Sequence, residues 1–164
     1  LSGGAGTDRV DEIANGHVRI SPNVEFRQVS SLDLGTDQWL AMEQLQLTGG
    51  SGDDFFDARR SSLPATLIGN DGNDTLLGGA FIDSVVGGNG DDYLSGGAGI
   101  DKIEGGAGFD THYESANVNF TVSGTKISSS ATGTTETPTG IDRIVILGGD
   151  GNNNLNASAA TIPS

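Results

Sequence analysis

The sequence predicts an all-β fold: a right-handed parallel β-roll/β-helix solenoid, with irregular wider coils or hairpins attached to it. Two observations predict it. A glycine-rich unit of nine residues recurs five times without a gap over residues 69–113, and 27 of the 164 residues are glycine. No convincing helical period appears, and residues 38–46 are the only segment with some helical character. Short tandem repeats are typical of solenoids, in which each unit stacks on the next.

Each nine-residue unit has a turn part and a strand part. The units read GNDGNDTLL, GGAFIDSVV, GGNGDDYLS, GGAGIDKIE and GGAGFDTHY. Closely spaced glycines allow positive φ and a tight turn, and the last three residues form a short extended segment whose central side chain faces inward. Two units then make one coil. The inward eighth positions are Leu76, Val85, Leu94, Ile103 and His112.

The acidic charge of the chain predicts a cation. The 22 acidic and 8 basic residues give a net charge of −14, and the sixth position of every unit is aspartate. Since stacked turns lie 18 residues apart, Asp74 faces Asp92, Asp92 faces Asp110, and Asp83 faces Asp101. Burying one apolar side chain per unit gains about 1.5–3 kcal/mol, against roughly 9–18 kcal/mol of backbone entropy for nine residues. Ca²⁺ would offset the stacked charge, because it takes six to eight carboxylate and carbonyl oxygens.

Residues 69–113 resemble the RTX, or haemolysin-type, calcium-binding repeats of secreted bacterial proteins. In that family one turn gives the carbonyls of its second and fourth positions and its aspartate. The turn one coil later gives the carbonyls of its first and third positions and its aspartate. The resemblance therefore implies three Ca²⁺ sites. The first consists of Asn70, Gly72, Asp74, Gly87, Asn89 and Asp92; the second of Gly88, Gly90, Asp92, Gly105, Ala107 and Asp110; the third of Gly79, Phe81, Asp83, Gly96, Ala98 and Asp101.

Three turns depart from the family pattern. Phe81 occupies the place of the third glycine in the third site. Asp54 belongs to an isolated copy of the turn that lies 20 residues, not 18, before the turn of Asp74. In a further copy, at Gly148, the acid is replaced by Asn153, so we expect that turn to bind no metal.

A longer repeat surrounds the nonapeptides. Residues 3–20 align with 105–122, and residues 42–58 align with 141–157. Alternating apolar residues in these segments predict strands, in wider coils of the solenoid or in hairpins that project from it. Residues 123–140, rich in Ser, Thr and Gly, predict a mobile loop.

These alignments set the predicted organisation. We expect one continuous solenoid over residues 1–164, with a first long module at 3–65, a nonapeptide calcium block at 66–113 and a partial second long module at 105–164. The last three residues align with 63–65 and the first eight with 67–74. One copy could therefore continue the coils of another, and we expect head-to-tail self-association into an array or filament.

Several classes of function are excluded. The chain contains no G-x-S-x-G, H-E-x-x-H or G-x-x-x-x-G-K motif, and carboxylates that hold Ca²⁺ are not free for acid–base catalysis; we predict no enzyme activity. The two histidines, His17 and His112, differ in position in the long repeat, and His112 is expected to be a partly buried residue that caps the end of the roll. The acidic charge argues against nucleic acid, and no apolar run is long enough for membrane insertion. The fifth positions of the units do not form the regular Thr/Asn ladder that ice binding would need.

The predicted function is a calcium-binding structural module of a secreted bacterial tandem-repeat surface, matrix or filament protein. The alternative is a calcium-binding C-terminal-type domain of a secreted enzyme such as a protease or lipase. The resemblance implies type I secretion, with export unfolded and folding outside the cell, and hence an extracellular or cell-surface location. We expect no cleavable signal peptide at the start of the chain, and we expect the chain to be part of a longer protein. Without cysteine, neither disulfides nor thiolate metal sites can form.

Overall fold

The structure is a computed structural model. It describes residues 9–13, 17–23, 26–31, 35–39, 44–61, 63–116, 119–124, 126–129 and 135–160. Within these ranges the chain forms strands and turns and no helix, and therefore no helix that could cross a membrane. The strands are β1 (Arg9–Ile13), β2 (His17–Asn23), β3 (Phe26–Ser31), β4 (Gly35–Trp39), β5 (Gln44–Thr48), β6 (Phe55–Asp57), β7 (Ala65–Asp71), β8 (Thr75–Leu77), β9 (Ser84–Asn89), β10 (Tyr93–Ser95), β11 (Lys102–Ala107), β12 (Thr111–Ala116), β13 (Phe120–Gly124), β14 (Lys126–Ser129), β15 (Thr135–Glu136), β16 (Arg143–Gly148) and β17 (Leu155–Ala160).

Two sheets form the solenoid. Sheet one has the strand order β1-β5-β7-β9-β11, and sheet two has the order β16-β12-β10-β8-β6-β2-β3-β4. The chain alternates between the sheets from β5 to β12, and all neighbours in this part are parallel. Thr66 pairs with Ser84, and Ser84 with Lys102, so one coil takes 18 residues. The predicted parallel solenoid with two nonapeptides per coil is confirmed.

The core lies between the sheets and follows the eighth repeat position. Leu76 pairs with Leu94, and Leu94 with His112, while Val85 pairs with Ile103. All five side chains are buried, with at most 1% of their surface exposed. The core continues into the coil before the repeats through the following buried side chains: Leu45, Leu47, Phe56 and Leu67. Strand alternation thus places the eighth-position side chain of each unit in the interior, as the sequence predicts.

The segment with helical character is not a helix in its described residues. Strand β4 extends to Trp39 and β5 begins at Gln44. Leu45 and Leu47 are buried while Gln46 is only half-buried, which is the two-residue period of a strand. The pairing of β5 with β7 in the core decides the conformation of this segment.

The two long segments share one pattern of strand pairing. Arg9 of β1 pairs with Gln44 of β5, and the aligned residues Thr111 of β12 and Arg143 of β16 pair in the same way. Each segment then forms an antiparallel meander, β2-β3-β4 in the first and β13-β14-β15 in the second. A parallel strand flanks each meander, β6 in the first case and β17 in the second. Hairpins are therefore present in both segments, whereas the proposed module boundaries stay a prediction.

The prediction of a mobile loop over residues 123–140 is wrong where the structure describes them. This stretch contains β14 and β15, and Thr139 forms a parallel bridge with Glu104 of the roll. Ile127 is buried against Phe120 and Val122. The Ser- and Thr-rich composition conceals an alternating strand, because only a few of its residues need to be apolar to cover one face.

Candidate calcium sites

The turns of the solenoid form two stacked rows. The first row leads from sheet one to sheet two, and its turns are residues 49–54, 69–74, 87–92 and 105–110; the second row leads back, and its repeat turns are residues 78–83 and 96–101. The sixth-position aspartates of both rows are buried: Asp54, Asp74, Asp83, Asp92, Asp101 and Asp110. Buried carboxylates without compensation destabilise a fold, so the contacts of these acids decide what the rows can do.

A ladder of hydrogen bonds joins the aspartates of the first row. The backbone N–H of Asp54 donates to Oδ1 of Asp74 at 2.7 Å. The N–H of Asp74 donates to Oδ1 of Asp92 at 2.8 Å, and that of Asp92 to Oδ1 of Asp110 at 3.0 Å. In the second row the N–H of Asp83 donates to Oδ1 of Asp101 at 2.7 Å. The structure thus brings together every pair of acids that the 18-residue spacing predicts, and it adds Asp54 across the 20-residue interval.

Two acids that were not predicted from the sequence continue the ladders. The N–H of Asp110 donates to Oδ2 of Asp142 at 2.9 Å, and the N–H of Asp101 lies 3.4 Å from Oε1 of Glu136. For Asp142 a signal exists, since residues 140–144 read GIDRI and residues 99–103 read GIDKI. Glu136 lies in the Thr-rich stretch and resembles no repeat position.

Four turns, which we call the open turns, share an unusual backbone. They are residues 69–74, 87–92, 96–101 and 105–110, and their second and fourth positions have positive φ: Asn70 (81°), Gly72 (119°), Gly88 (127°), Gly90 (129°), Gly97 (91°), Gly99 (157°), Gly106 (123°) and Gly108 (135°). In the same four turns the second carboxylate oxygen, Oδ2, is buried and has no hydrogen-bond partner among the described residues. An unpaired buried carboxylate oxygen is costly, so these turns are suited to a cation.

Three other turns, the closed turns, have no positive φ at these positions and satisfy their own side chain. They are residues 49–54, 78–83 and 148–153. The N–H of Gly50 donates to Oδ2 of Asp54 at 2.9 Å, and the N–H of Gly79 to Oδ2 of Asp83 at 2.6 Å. In the third closed turn the amide of Asn153 donates to two carbonyl oxygens of its own turn, at 2.9 and 2.8 Å.

Carbonyl oxygens converge between consecutive open turns. A Cβ placed on Gly88 would meet the carbonyl oxygen of Asn70, and one on Gly90 would meet that of Gly72. A Cβ on Gly69 would meet Oδ2 of Asp74 and, at 2.6 Å, the carbonyl oxygen of Gly87. The second and fourth carbonyls of one turn therefore point at the next turn, and the first carbonyl of that turn points back. These carbonyls belong to residues of the first predicted site, which stays a prediction.

The second predicted site repeats this geometry one coil later. The carbonyl oxygens of Gly88 and Gly90 point at Gly106 and Gly108, and a Cβ on Gly87 would meet both Oδ2 of Asp92 and, at 2.7 Å, the carbonyl oxygen of Gly105. The third-position carbonyls are also hydrogen-bonded: Asn89 accepts from the N–H of Gly72 at 2.9 Å, and Ala107 from that of Gly90 at 2.8 Å. Each carbonyl keeps a second lone pair for another partner.

The third predicted site combines a closed turn with an open one. The carbonyl oxygens of Gly79 and Phe81 point at Gly97 and Gly99, as in the other sites. However, the N–H of Ala98 donates to the Gly79 carbonyl at 2.8 Å, and Oδ2 of Asp83 is already bonded within its own turn. Phe81 gives the reason, because a bulky L-residue disfavours the positive φ that glycine adopts at this position in the open turns.

The electrostatics of the acids point to the same need for a cation. Burial raises the pKa of Asp92 to about 6, and the neighbouring carboxylates of Asp110 and Asp74 add to the shift. Burial likewise raises the pKa of Asp101 to about 6, with a contribution from the charge of Asp83. The pKa values of Asp74, Asp83 and Asp110 are also raised, mainly by burial. Ionised carboxylates are therefore disfavoured in these rows, and a hard divalent cation with oxygen ligands would offset their charge.

The stacked strands and acidic glycine turns define the class of protein, a parallel β-roll built from nine-residue units. A family model of the RTX calcium-binding nonapeptide repeat matches the chain in four copies, over residues 46–60, 68–103 and 77–111. These residues are RTX calcium-binding nonapeptide repeats, and repeats of this family occur in secreted bacterial proteins. No curated protein matches the chain.

Proposed function

We propose that this chain is a structural module that folds when it binds Ca²⁺, in a secreted tandem-repeat protein of the cell surface, an extracellular matrix or a filament. One observation carries the proposal: four stacked turns each keep a buried carboxylate oxygen without a hydrogen-bond partner among the described residues. A fold that places several such oxygens in two rows depends on a ligand for its stability. As a structural module, the chain would have no catalytic site of its own.

We expect the strongest Ca²⁺ sites between consecutive open turns. The first site uses the turns of Asp74 and Asp92, and the second uses the turns of Asp92 and Asp110, so all contributing turns are open. The third site, at Asp83 and Asp101, and the contact between Asp54 and Asp74 each include one closed turn. We therefore expect Ca²⁺ to bind more tightly at the first two sites than at these positions.

Folding coupled to Ca²⁺ is tested by circular dichroism in chelator and in millimolar Ca²⁺. We expect an unordered spectrum in chelator and a β spectrum after Ca²⁺ addition. A ligand that binds only the folded state adds about 2.7 kcal/mol per site at a hundredfold excess over its dissociation constant. Mg²⁺ is the control, because it prefers octahedral geometry at shorter distances. A cooperative melt that is the same in chelator and in Ca²⁺ contradicts the proposal.

The structural role is supported by the repeated pairing of the long segments. Strands β1 to β6 and β12 to β17 follow the same order of pairing, although they lie on both sides of the nonapeptide units. A further copy of such a segment would extend the roll, as in arrays whose repeats stack on their neighbours. Electron microscopy and light scattering of the Ca²⁺-loaded chain test the self-association: we expect end-to-end assemblies, and monomers alone at high concentration would exclude them. A catalytic domain in the same reading frame would instead favour the domain of a secreted enzyme.

A further inference from the structure

Three buried side chains that take no part in the proposed Ca²⁺ sites meet at the end of the second row of turns. His112 and Glu114 lie on β12, and Glu136 lies on β15. Nε2 of His112 is 2.9 Å from Oε1 of Glu114 and 3.9 Å from Oε2 of Glu136. The three residues are 0%, 5% and 7% exposed, and their ligand atoms lie within 4.8 Å of one another.

The histidine breaks the pattern of the core. It continues the column of Leu76 and Leu94, where every other repeat unit has an aliphatic side chain. A leucine would gain burial energy at this position, whereas an imidazole must satisfy two ring nitrogens. Its Nδ1 has no hydrogen-bond partner in the described part of the chain. A polar residue that replaces an aliphatic one in the core, with no visible gain in stability, is expected mainly at functional sites.

The glutamates concentrate negative charge around the imidazole. Oε2 of Glu136 is buried, faces Nε2 of His112 and has no hydrogen-bond partner among the described residues. The cluster thus combines one nitrogen donor and two carboxylates in an enclosure that favours an added positive charge.

We propose that His112, Glu114 and Glu136 form a site for a divalent transition metal such as Zn²⁺, separate from the Ca²⁺ sites of the open turns. Tetrahedral Zn²⁺ has bonds of about 2.0–2.2 Å to nitrogen and oxygen, which separates its donors by about 3.4 Å. The distances of 2.9 and 3.9 Å from the imidazole to the two glutamates lie on either side of this value. Imidazole favours transition metals, whereas Ca²⁺ favours oxygen.

Such a site would fix the second meander to the roll. β12 is part of sheet two, whereas β15 belongs to the small sheet of β13, β14, β15 and β17. Oε1 of Glu136 already lies near the N–H of Asp101 in the last turn of the second row. A metal held by both strands would join the meander to the end of the repeat block. Its removal should therefore loosen the meander more than the repeats.

The test is titration of Zn²⁺ into the full chain after it has been loaded with Ca²⁺, followed by the visible spectrum with Co²⁺. We expect one equivalent to bind and the Co²⁺ bands of a tetrahedral N/O site. His112→Leu is the first variant, since it restores the aliphatic column, and Glu136→Gln is the second. Each should weaken Zn²⁺ binding by roughly 100-fold or more, because loss of even an outer-shell partner costs about 10–100-fold.

Two controls separate this site from unspecific binding. His17→Gln removes the only other histidine, and Glu104→Gln removes an exposed carboxylate on β11; both should leave Zn²⁺ affinity unchanged. The proposal is overturned if His112→Leu binds Zn²⁺ as tightly as the original chain, or if millimolar Ca²⁺ displaces the metal. Absence of binding to the folded chain also overturns it. Circular dichroism of each variant in Ca²⁺ establishes that the roll is intact, and if His112→Leu does not fold, Glu136→Gln decides.

Discussion

The open turn at residues 87–92 and the closed turn at residues 148–153 share the glycine pattern G-G-x-G but differ in the sixth residue. In the open turn, Oδ1 of Asp92 accepts the N–H of Asp74 and Oδ2 has no partner among the described residues. In the closed turn, the side-chain amide of Asn153 donates to the carbonyl oxygens of its own turn. The amide of Asn153 thus provides hydrogen bonds to the carbonyl oxygens within its own turn. In the open turn, the buried oxygen is left for a ligand that would bind between two coils.

This difference shows that glycine spacing alone does not make a Ca²⁺ site. The carbonyls of the second and fourth positions need a positive partner, which is either a pair of N–H groups or a cation. The turn at residues 78–83 completes the comparison, because it has the acid but has Phe81 in place of the glycine, and it is also closed. An open turn requires an aspartate together with residues that adopt positive φ.

The largest expected effect comes from blocking an open turn at its backbone. Gly90 has a φ of 129°, and a Cβ there would meet the carbonyl oxygen of Gly72. Gly90→Ala should abolish folding in millimolar Ca²⁺, because it combines backbone strain of about 1–3 kcal/mol with a blocked site. Circular dichroism during a Ca²⁺ titration measures the effect.

The matched control is Gly52→Ala in a closed turn. Gly52 occupies the same fourth position and has no positive φ, and a Cβ added to it would have no heavy atom within 4 Å. Alanine should be neutral there, or stabilise the fold by about 0.4–1 kcal/mol through the unfolded state. Equal losses from the two substitutions would contradict the distinction between open and closed turns.

A smaller effect is expected when the aspartate of an open turn is replaced by asparagine, the sixth residue of the closed turn at residues 148–153. Asp92→Asn keeps Oδ1 as acceptor for the N–H of Asp74 but removes the charge shared by the first two sites. We expect isothermal titration to show loss of both high-affinity Ca²⁺ equivalents. Asp83→Asn should reduce only one weaker equivalent, because Oδ2 of Asp83 is already bonded to Gly79. The same loss from both variants would show that the pairing of turns across coils is wrong.

The repeat explains why so much of the roll could be predicted. A strict spacing of nine residues forces stacking, so the buried aspartates and the column from Leu76 to His112 follow from position alone. Two of the closed turns could also be recognised from the sequence, because Phe81 replaces a glycine in one and Asn153 replaces the aspartate in the other. The closed turn at residues 49–54 has both glycines and the acid, and its 20-residue interval to the next turn is the departure visible in the sequence. The contact from Gly50 to Asp54, which closes it, could not be predicted.

Residues outside the strict period could not be placed from the sequence. Glu136 reaches the last turn of the second row from 35 residues beyond Asp101, after a meander whose length no repeat fixes. The nearby His112 was expected to be a partly buried cap at the end of the roll. It is instead completely buried, and β16 pairs with its strand on the far side, so it does not cap the roll. The cluster with its two glutamate neighbours was not predicted. Glu114 lies on the same strand as His112, but Glu136 belongs to another sheet, and the sequence does not indicate that the two sheets meet there.

The smallest expected effect comes from lowering the pH, because protonation of the aspartate in an open turn makes it resemble the asparagine of the closed turn at residues 148–153. A protonated carboxyl group is neutral and can donate an O–H, as the amide of Asn153 donates its N–H groups. The pKa of Asp92 and that of Asp101 are each raised to about 6 in the folded chain, whereas an unfolded aspartate has a pKa of about 3.9. Between these values the folded state binds more protons than the unfolded state, so the stability of the Ca²⁺-free fold increases as the pH falls and is lost as it rises through about 6.

In chelator, we therefore expect part of the β signal to appear when the pH is lowered from about 7.5 to about 5, in the window set by these raised pKa values. This range stays above the isoelectric point of about 4.1, so the chain keeps its negative charge. In Ca²⁺ the dependence should reverse, since protons compete with the metal for the same carboxylates and lower its apparent affinity. Asp92→Asn should weaken both pH dependences, because it removes one titrating group from the first row of turns. A chelated chain whose circular dichroism does not change over this range would show that protonated acids do not close the open turns.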